Sequence, residues 1–190
     1  MTHTTSSKRN QILQTTLGLI AENGFHGTAV SMVASEANVG MGTIYRYFEN
    51  KEQLINELYR EIKADIIKAS ITGSQEDVSI QAHFALTLRN LANYYMTHPK
   101  ELSFMEQYAN SPFINKISEQ ERRELEAPIY QFFHFAQGKG AMKAIPLEIL
   151  IVNVHATIVS LVKLHITGGF SLTEEAIEMA ISMSWDAVKR

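Results

Sequence analysis

Apolar residues recur three and four positions apart along almost the whole chain, and no run of five or more residues alternates convincingly with period two. The pattern predicts an all-α protein. A first helix carries Leu13, Leu17, Ile20 and Ala21 on one face and ends at Asn23-Gly24, where glycine suits a left-handed C-terminal position. After a short loop, Phe25 to Gly27, Thr28 is expected to cap a second short helix holding Val30, Val33, Ala34 and Ala37. Asn38-Val39-Gly40 then reads as a turn, since Asn and Gly both tolerate positive φ. A third short helix, about Met41 to Tyr47, follows. Asn50 to Gln53 has capping-box spacing and opens a long helix with Leu54, Leu58, Ile62 and Ile66, ending near Ile71.

Thr72 to Glu76 is polar and contains Gly73, which marks it as the domain boundary. Beyond it the periodicity predicts helices of about Val78 to Thr97, Pro99 to Asn110 and Ser118 to Gln137. The last is opened by a capping box from Ser118 to Glu121 and is expected to kink or split at Pro128. Gly138 to Ile145 reads as a loop and Pro146 as the first position of a helix to about Thr167. Ser171 to Glu174 is expected to cap a final helix ending near Arg190.

Composition narrows the functional classes. With 45% hydrophobic and 19% charged residues the chain has an ordinary globular balance, and 4 Pro and 10 Gly are too few for the turns of a barrel or sandwich. The net charge of -3 gives no general sign of a nucleic-acid binder, so a DNA-binding reading has to come from local sequence. The absence of Cys excludes thiolate metal sites and a Cys nucleophile. No signal peptide is read at the start, and the most apolar segment, Ile149 to Ile166, is interrupted by Asn153, His155, Ser160, Lys163 and His165; the expectation is a soluble, cytoplasmic chain with no membrane partner.

Two short helices joined by a three-residue turn and braced by longer ones form a helix-turn-helix, whose second helix lies along base edges in the major groove. Here that helix offers Met41, Gly42, Thr43 and Arg46. Thr43 is suited to a base edge or a phosphate, Arg46 to guanine or phosphate, and Gly42 lets the backbone approach closely. Tyr45 and Tyr47 supply hydroxyls for phosphate oxygens, Lys51 a charge at the start of its helix, and Thr28 completes the DNA-binding set. Val39 and Phe48 are expected in the small core. Residues 1–51 carry four basic side chains (Lys8, Arg9, Arg46, Lys51) and three acidic ones (Glu22, Glu36, Glu49), a weak electrostatic footprint. Lys8 and Arg9 form either a phosphate-touching arm or a solvated tail, and the charged run Glu119 to Glu126 is expected to be a solvated face.

The run Gly24 to Leu54, GFHGTAVSMVASEANVGMGTIYRYFENKEQL, resembles the tetracycline-repressor (TetR) family through Val39, Gly42-Thr43, Tyr45, Tyr47-Phe48 and Lys51-Glu52. Asn38 stands where the family usually has Gly, and Gly40 where it has Ser or Thr, so Gly40 lacks a side-chain cap. The resemblance implies an N-terminal three-helix DNA-binding domain (1–50), a connecting helix (51–72) and a C-terminal helical effector-binding and dimerisation domain (73–190). In the C-terminal half, aromatic and soft residues recur at helical spacing: Phe84, Leu88, Leu91 and Tyr95; Phe104, Met105 and Tyr108; then Phe132, Phe133 and Phe135. Gln107, Asn110, His134, Asn153, His155 and His165 are polar groups set among them. Such a mixture describes a ligand pocket as well as a satisfied core. The resemblance favours a pocket, with Phe84, Leu88, Leu91, Tyr95, Phe104, Met105, Gln107, Tyr108, Asn110, Phe133, His134, His155 and Ile158 as candidate lining.

No Gly-rich phosphate loop, Ser elbow or His/Glu metal spacing is present, so no catalytic residue, metal or cofactor is expected. The helix from Pro146 is apolar on one stripe (Leu147, Leu150, Ile151, Val154, Ile158, Leu161, Val162) and again at Val152, Ala156, Val159 and Leu164. The last helix repeats this, with Ile177, Ile181, Trp185 and Val188 on one stripe and Ala176, Met179, Ala180, Met183 and Ala187 on another. Helices apolar on two faces must be buried twice, which predicts a homodimeric four-helix bundle. The reading is a ligand-responsive regulator, as a repressor, that binds a palindromic double-stranded operator and is released by a small apolar or aromatic effector. The alternatives are a regulator controlled by a protein partner, and an all-α carrier or enzyme with a vestigial helix-turn-helix.

Overall fold

The computed structural model describes residues 3–73, 78–113 and 117–190, and of residues 3–7 the backbone alone. Among these residues there are nine helices and no strand beyond one isolated bridge between Met142 and Lys189. They are α1 (His3–Gly27), α2 (Val30–Glu36), α3 (Met41–Tyr47), α4 (Lys51–Ile71), α5 (Ile80–Thr97), α6 (Pro99–Ala109), α7 (Glu119–Gly138), α8 (Leu147–Ile166) and α9 (Glu174–Val188). The all-α expectation holds. The compact units cut the chain differently from the sequence boundaries. One unit comprises Met1–Lys63 and Lys100–Glu121, the other Ala64–Pro99 and Arg122–Arg190. Part of the 72–76 boundary segment lies outside the described residues.

In the first unit, α1 buries Ile12, Leu13, Leu17 and Ile20 beside Val33 and Ala34 of α2, Ile44 of α3 and Leu54, Ile55 and Leu58 of α4. The helical span of α1 is broken at Gly24, whose φ of 70° and ψ of 174° only glycine adopts without strain. Thr28 does not cap α2. The cap position is Ala29, without a side-chain bond, while the buried Thr28 hydroxyl donates to the Gly24 carbonyl at 2.8 Å and ties off the break. Asn38 takes the positive φ of the turn (48°), but Gly40 is an extended N-cap of α3 with no side-chain bond. At the start of α4, Asn50 Oδ1 accepts from the Gln53 amide at 2.8 Å. The Gln53 side chain reaches back to the Glu49 amide, one residue further than a regular capping box.

Helix α6 completes this unit. Phe104 and Tyr108 are buried and meet Phe25 at ring-centroid separations of 5.6 and 6.4 Å. Tyr108 also stacks on Tyr59 of α4 at 4.2 Å and donates its hydroxyl to Asn56 Oδ1 at 2.9 Å.

In the second unit, α5 packs against α8 and α9, which also pack against each other. Its core includes Phe84, Leu88, Leu91, Phe133, Leu150, Val154, Ile158, Ile177 and Ile181. Ser118 caps α7 through the Glu121 amide at 3.0 Å, and Pro128 sits inside a helix that continues to Gly138 rather than splitting it. The expected Ser171 cap is displaced: Thr173 caps α9, accepting from the Ala176 amide. By length and composition α8 is apolar enough to cross a bilayer, with mean hydropathy 1.8, but its stripe of Leu150, Val154, Ile158 and Val162 is buried in this unit.

Gly24→Ala is expected to lower stability by about 1–3 kcal/mol in urea unfolding, because a Cβ is strained at that φ. An unchanged midpoint would mean that the break is not constrained.

Candidate nucleic-acid interface

The geometry of the reading helix is set by three contacts behind it. Gln11 Nε2 of α1 donates to the Ala37 carbonyl at 3.0 Å, which holds the end of α2. The Val39 amide donates to the Ala34 carbonyl at 3.0 Å, which closes the turn with Asn38 in the left-handed region. Arg9 lies 5.7 Å from the centroid of the Phe48 ring and pairs with Glu57 and Glu61 of α4. Burial works against the Arg9 charge, but the hydrogen bonds and charges of Glu61 and Glu57 outweigh it and raise the guanidinium above its ordinary range. Arg60 continues the network to Glu57 and Glu121, and the Glu121 hydrogen bond is the main cause of its own upward shift. Arg9 is therefore neither an arm nor a solvated tail; its charge braces α1 against α4.

With α3 fixed this way, Ile44 and Phe48 turn into the core. Met41, Gly42, Tyr45 and Arg46 are exposed, Tyr45 by 51%, and Thr43 and Tyr47 are half-buried at the edge of the same face. Of the residues expected to meet DNA, Met41, Gly42, Tyr45 and Arg46 are the fully exposed ones. A Cβ at Gly42 would meet no atom within 4 Å, so the backbone there is open to close approach. Arg46 lies 5.2 Å from the centroid of the Tyr47 ring and donates to its hydroxyl at 3.3 Å, which restricts the guanidinium before any DNA arrives.

Two expected DNA contacts are altered. Thr28 is buried, so its side chain is not offered to a phosphate. Lys51 Nζ donates to the Phe25 carbonyl, just past the break in α1, and burial pushes its amine below the ordinary lysine range. Lys51 thus joins the start of α4 to the end of α1.

The candidate effector residues fall into two groups. Phe104, Met105, Gln107, Tyr108 and Asn110 lie in the first unit, while Phe84, Leu88, Leu91, Tyr95, Phe133, His134, His155 and Ile158 lie in the second. Phe84, Leu88, Leu91, Tyr95, Phe133 and Ile158 are buried in the core of the second unit. The polar members are placed otherwise. Gln107 donates to the Ile20 carbonyl at 3.3 Å and to Ser103 at 3.2 Å, and the exposed Asn110 donates back to the Glu106 carbonyl. His134 and His155 are exposed, each one residue, a rotation of about 100°, beyond a buried neighbour, Phe133 and Val154. Among the polar residues that do lie inside, sequence reading missed Asn56, bonded to Tyr108, and Thr87 and Ser184. Their signal was position alone, since each occupies the buried stripe of its helix.

Among the described residues no group of His, Asp and Glu is arranged to hold a metal ion. Residues 12–58 match the model for bacterial regulatory proteins of the tetR family, and residues 80–189 match that of a tetracyclin repressor-like C-terminal domain. The chain belongs to the TetR family. A helix-turn-helix transcriptional regulator of Haemophilus influenzae, itself described as uncharacterized, is 25% identical over 181 residues, 95% of each chain. The crystal structure of a TetR-family transcription regulator from Marinobacter aquaeolei superposes with a TM-score of 0.92 at 25% identity, covering 100% of this chain and 99% of that one. A TetR-family protein from Vibrio parahaemolyticus is 30% identical with a TM-score of 0.84, covering 96% and 99%. This TetR-family chain is a DNA-binding transcriptional regulator, and α2 and α3 form its helix-turn-helix.

Substitution of Tyr45 by Ala is expected to weaken binding to operator and random duplexes alike, since a hydroxyl on phosphate carries no sequence information. Thr43→Ala and Arg46→Ala should instead change which bases are preferred, by about 1–3 kcal/mol per contact; anisotropy titrations on single-base operator variants separate the two behaviours. Lys51→Ala should lower both the urea midpoint and DNA affinity, because one side chain serves the α1 terminus and the DNA-facing end of α4. A loss of affinity at unchanged stability would remove the structural half of that role.

Proposed function

We propose that the protein is a ligand-responsive repressor that binds a palindromic operator as a homodimer and releases it when a small molecule occupies the second unit. The observation that carries this reading is the uncovered apolar face of α8 and α9. Ile149, Val152 and Leu164 on α8 and Met179 and Met183 on α9 are exposed, Val152 by 65% and Met183 by 72%. They lie beside the buried stripes of the same helices, so each helix carries a second apolar face that the described residues leave exposed. Exposed apolar faces of this kind call for a partner. Two helices from each of two copies would bury it in a four-helix bundle across a two-fold axis. The same axis supplies paired α3 helices, which meet successive major grooves when roughly 34–36 Å apart.

Effector control is supported by the interior of the second unit, which the buried Phe84, Leu88, Leu91, Tyr95, Phe133 and Ile158 make apolar. A ligand releases DNA if it binds better to a conformation whose reading heads no longer match that spacing. No residue in the scheme performs catalysis, and its site of action is the cytoplasm, where the operator lies. Gel shift with DNA flanking the protein's own gene tests the reading. Retardation that resists random competitor DNA is expected, and equal competition by random DNA would contradict it.

Val152→Asp and Met183→Asp, which place charges on the uncovered faces, are expected to leave helical content intact and to convert a dimer into a monomer in sedimentation equilibrium. Wild-type protein persisting as a 21.4 kDa species at micromolar concentration would remove the interface.

A further inference from the structure

A serine or threonine inside a helix ordinarily satisfies its hydroxyl by donating to the carbonyl four residues back. Thr16, Ser70, Thr97 and Thr157 all do so here, at 2.7, 2.8, 2.8 and 2.9 Å. Thr87 on α5 and Ser184 on α9 do not. Their side-chain oxygens are buried and have no hydrogen-bond partner, in residues only 7% and 3% exposed. A hydroxyl withheld from water without a partner is destabilising, and Val or Ala in the same place would avoid that cost.

The two hydroxyls lie in one part of the second unit. Phe84 meets Trp185 with ring centroids 5.2 Å apart, and Arg89 pairs with Glu178, so α5 and α9 run antiparallel in contact over this stretch. Thr87 falls between Phe84 and Arg89 along α5, and Ser184 precedes Trp185 on α9. The surroundings are apolar, with Phe84, Leu88, Leu91 and Ile181 buried. The one arginine or lysine of α5, Arg89, is held by Glu174 and Glu178, so it is not left over for a carboxylate ligand.

We propose that Thr87 and Ser184 are the polar anchors of an internal ligand site. It takes a small neutral molecule with an apolar body and one oxygen function, a hydroxyl or a carbonyl. Each hydroxyl both donates and accepts, so together they satisfy such a group, while the apolar side chains around them receive the body. An ionised ligand would enter without Arg89 as a countercharge. The inference rests on the effector reading above and names the groups that would carry it, in place of the exposed Asn110 and His155 and the internally bonded Gln107.

The test compares wild type with Thr87→Val, Ser184→Ala and the double variant, using benzyl alcohol and its apolar counterpart toluene as probes. Without probe, the variants are expected to melt no lower than wild type. In ligand-observed NMR, benzyl alcohol should bind wild type about tenfold more tightly than toluene, and the double variant should lose that preference. Variants that melt several degrees lower would show hydroxyls already satisfied within the fold and would overturn the proposal. So would a wild type that does not prefer benzyl alcohol, or a double variant that still does. Operator binding measured alongside separates the two readings. If the preference is present but benzyl alcohol leaves DNA bound, the anchors stand and release by this ligand class fails. If benzyl alcohol releases DNA equally from wild type and double variant, the anchors fail and ligand release stands.

Discussion

Tyr108 of α6 is almost wholly buried, stacks on Tyr59 and donates its hydroxyl to Asn56, both on α4, while its ring edge meets Phe25 at the end of α1. A buried phenol and a buried carboxamide are costly separately and stable together, so the pair admits only one register of α6 on α4. Gln107, one residue earlier, bonds to the Ile20 carbonyl and gives α1 the same reference. The break at Gly24 puts Phe25 into this cluster, and Lys51 holds the Phe25 carbonyl. The brace behind the helix-turn-helix is thus one connected set of contacts running from the start of α4 to the end of α6.

Helix α6 falls within the residues that match the family's C-terminal domain, yet it belongs to the same compact unit as the reading helix. Any displacement of α6 therefore acts directly on α1 and α4, the two helices that Arg9 ties together through Glu57 and Glu61. Ionic and aromatic contacts divide the work. The aromatic cluster resists slippage because its packing is close, whereas the half-exposed carboxylates around Arg9 and Arg60 fix direction and contribute little energy singly.

The periodicity revealed the helices because each buries an apolar stripe at helical spacing, and the exposed face of α3 was legible because Tyr45 and Arg46 have no place in a core of this size. The two-faced character of α8 and α9 was visible for the same reason, and Val152 and Met183 are exposed where the second stripe predicted. Tertiary partners were not visible. Nothing local to Thr28 shows that its hydroxyl turns back to Gly24, or that Arg9 meets carboxylates some fifty residues away. Nor does sequence order show that His134 and His155 fall just outside the buried arc while Thr87 and Ser184 fall inside it, since one residue of rotation decides each case.

The proposed regulation requires α3 to act as one of a symmetric pair of reading heads. Selection of bound duplexes from a random pool by the purified protein, followed by sequencing, measures this directly. The predicted result is enrichment of two inverted half-sites whose centres lie one helical turn, or a whole number of turns, apart. Enrichment of a single unpaired site, or none above the starting pool, would contradict it.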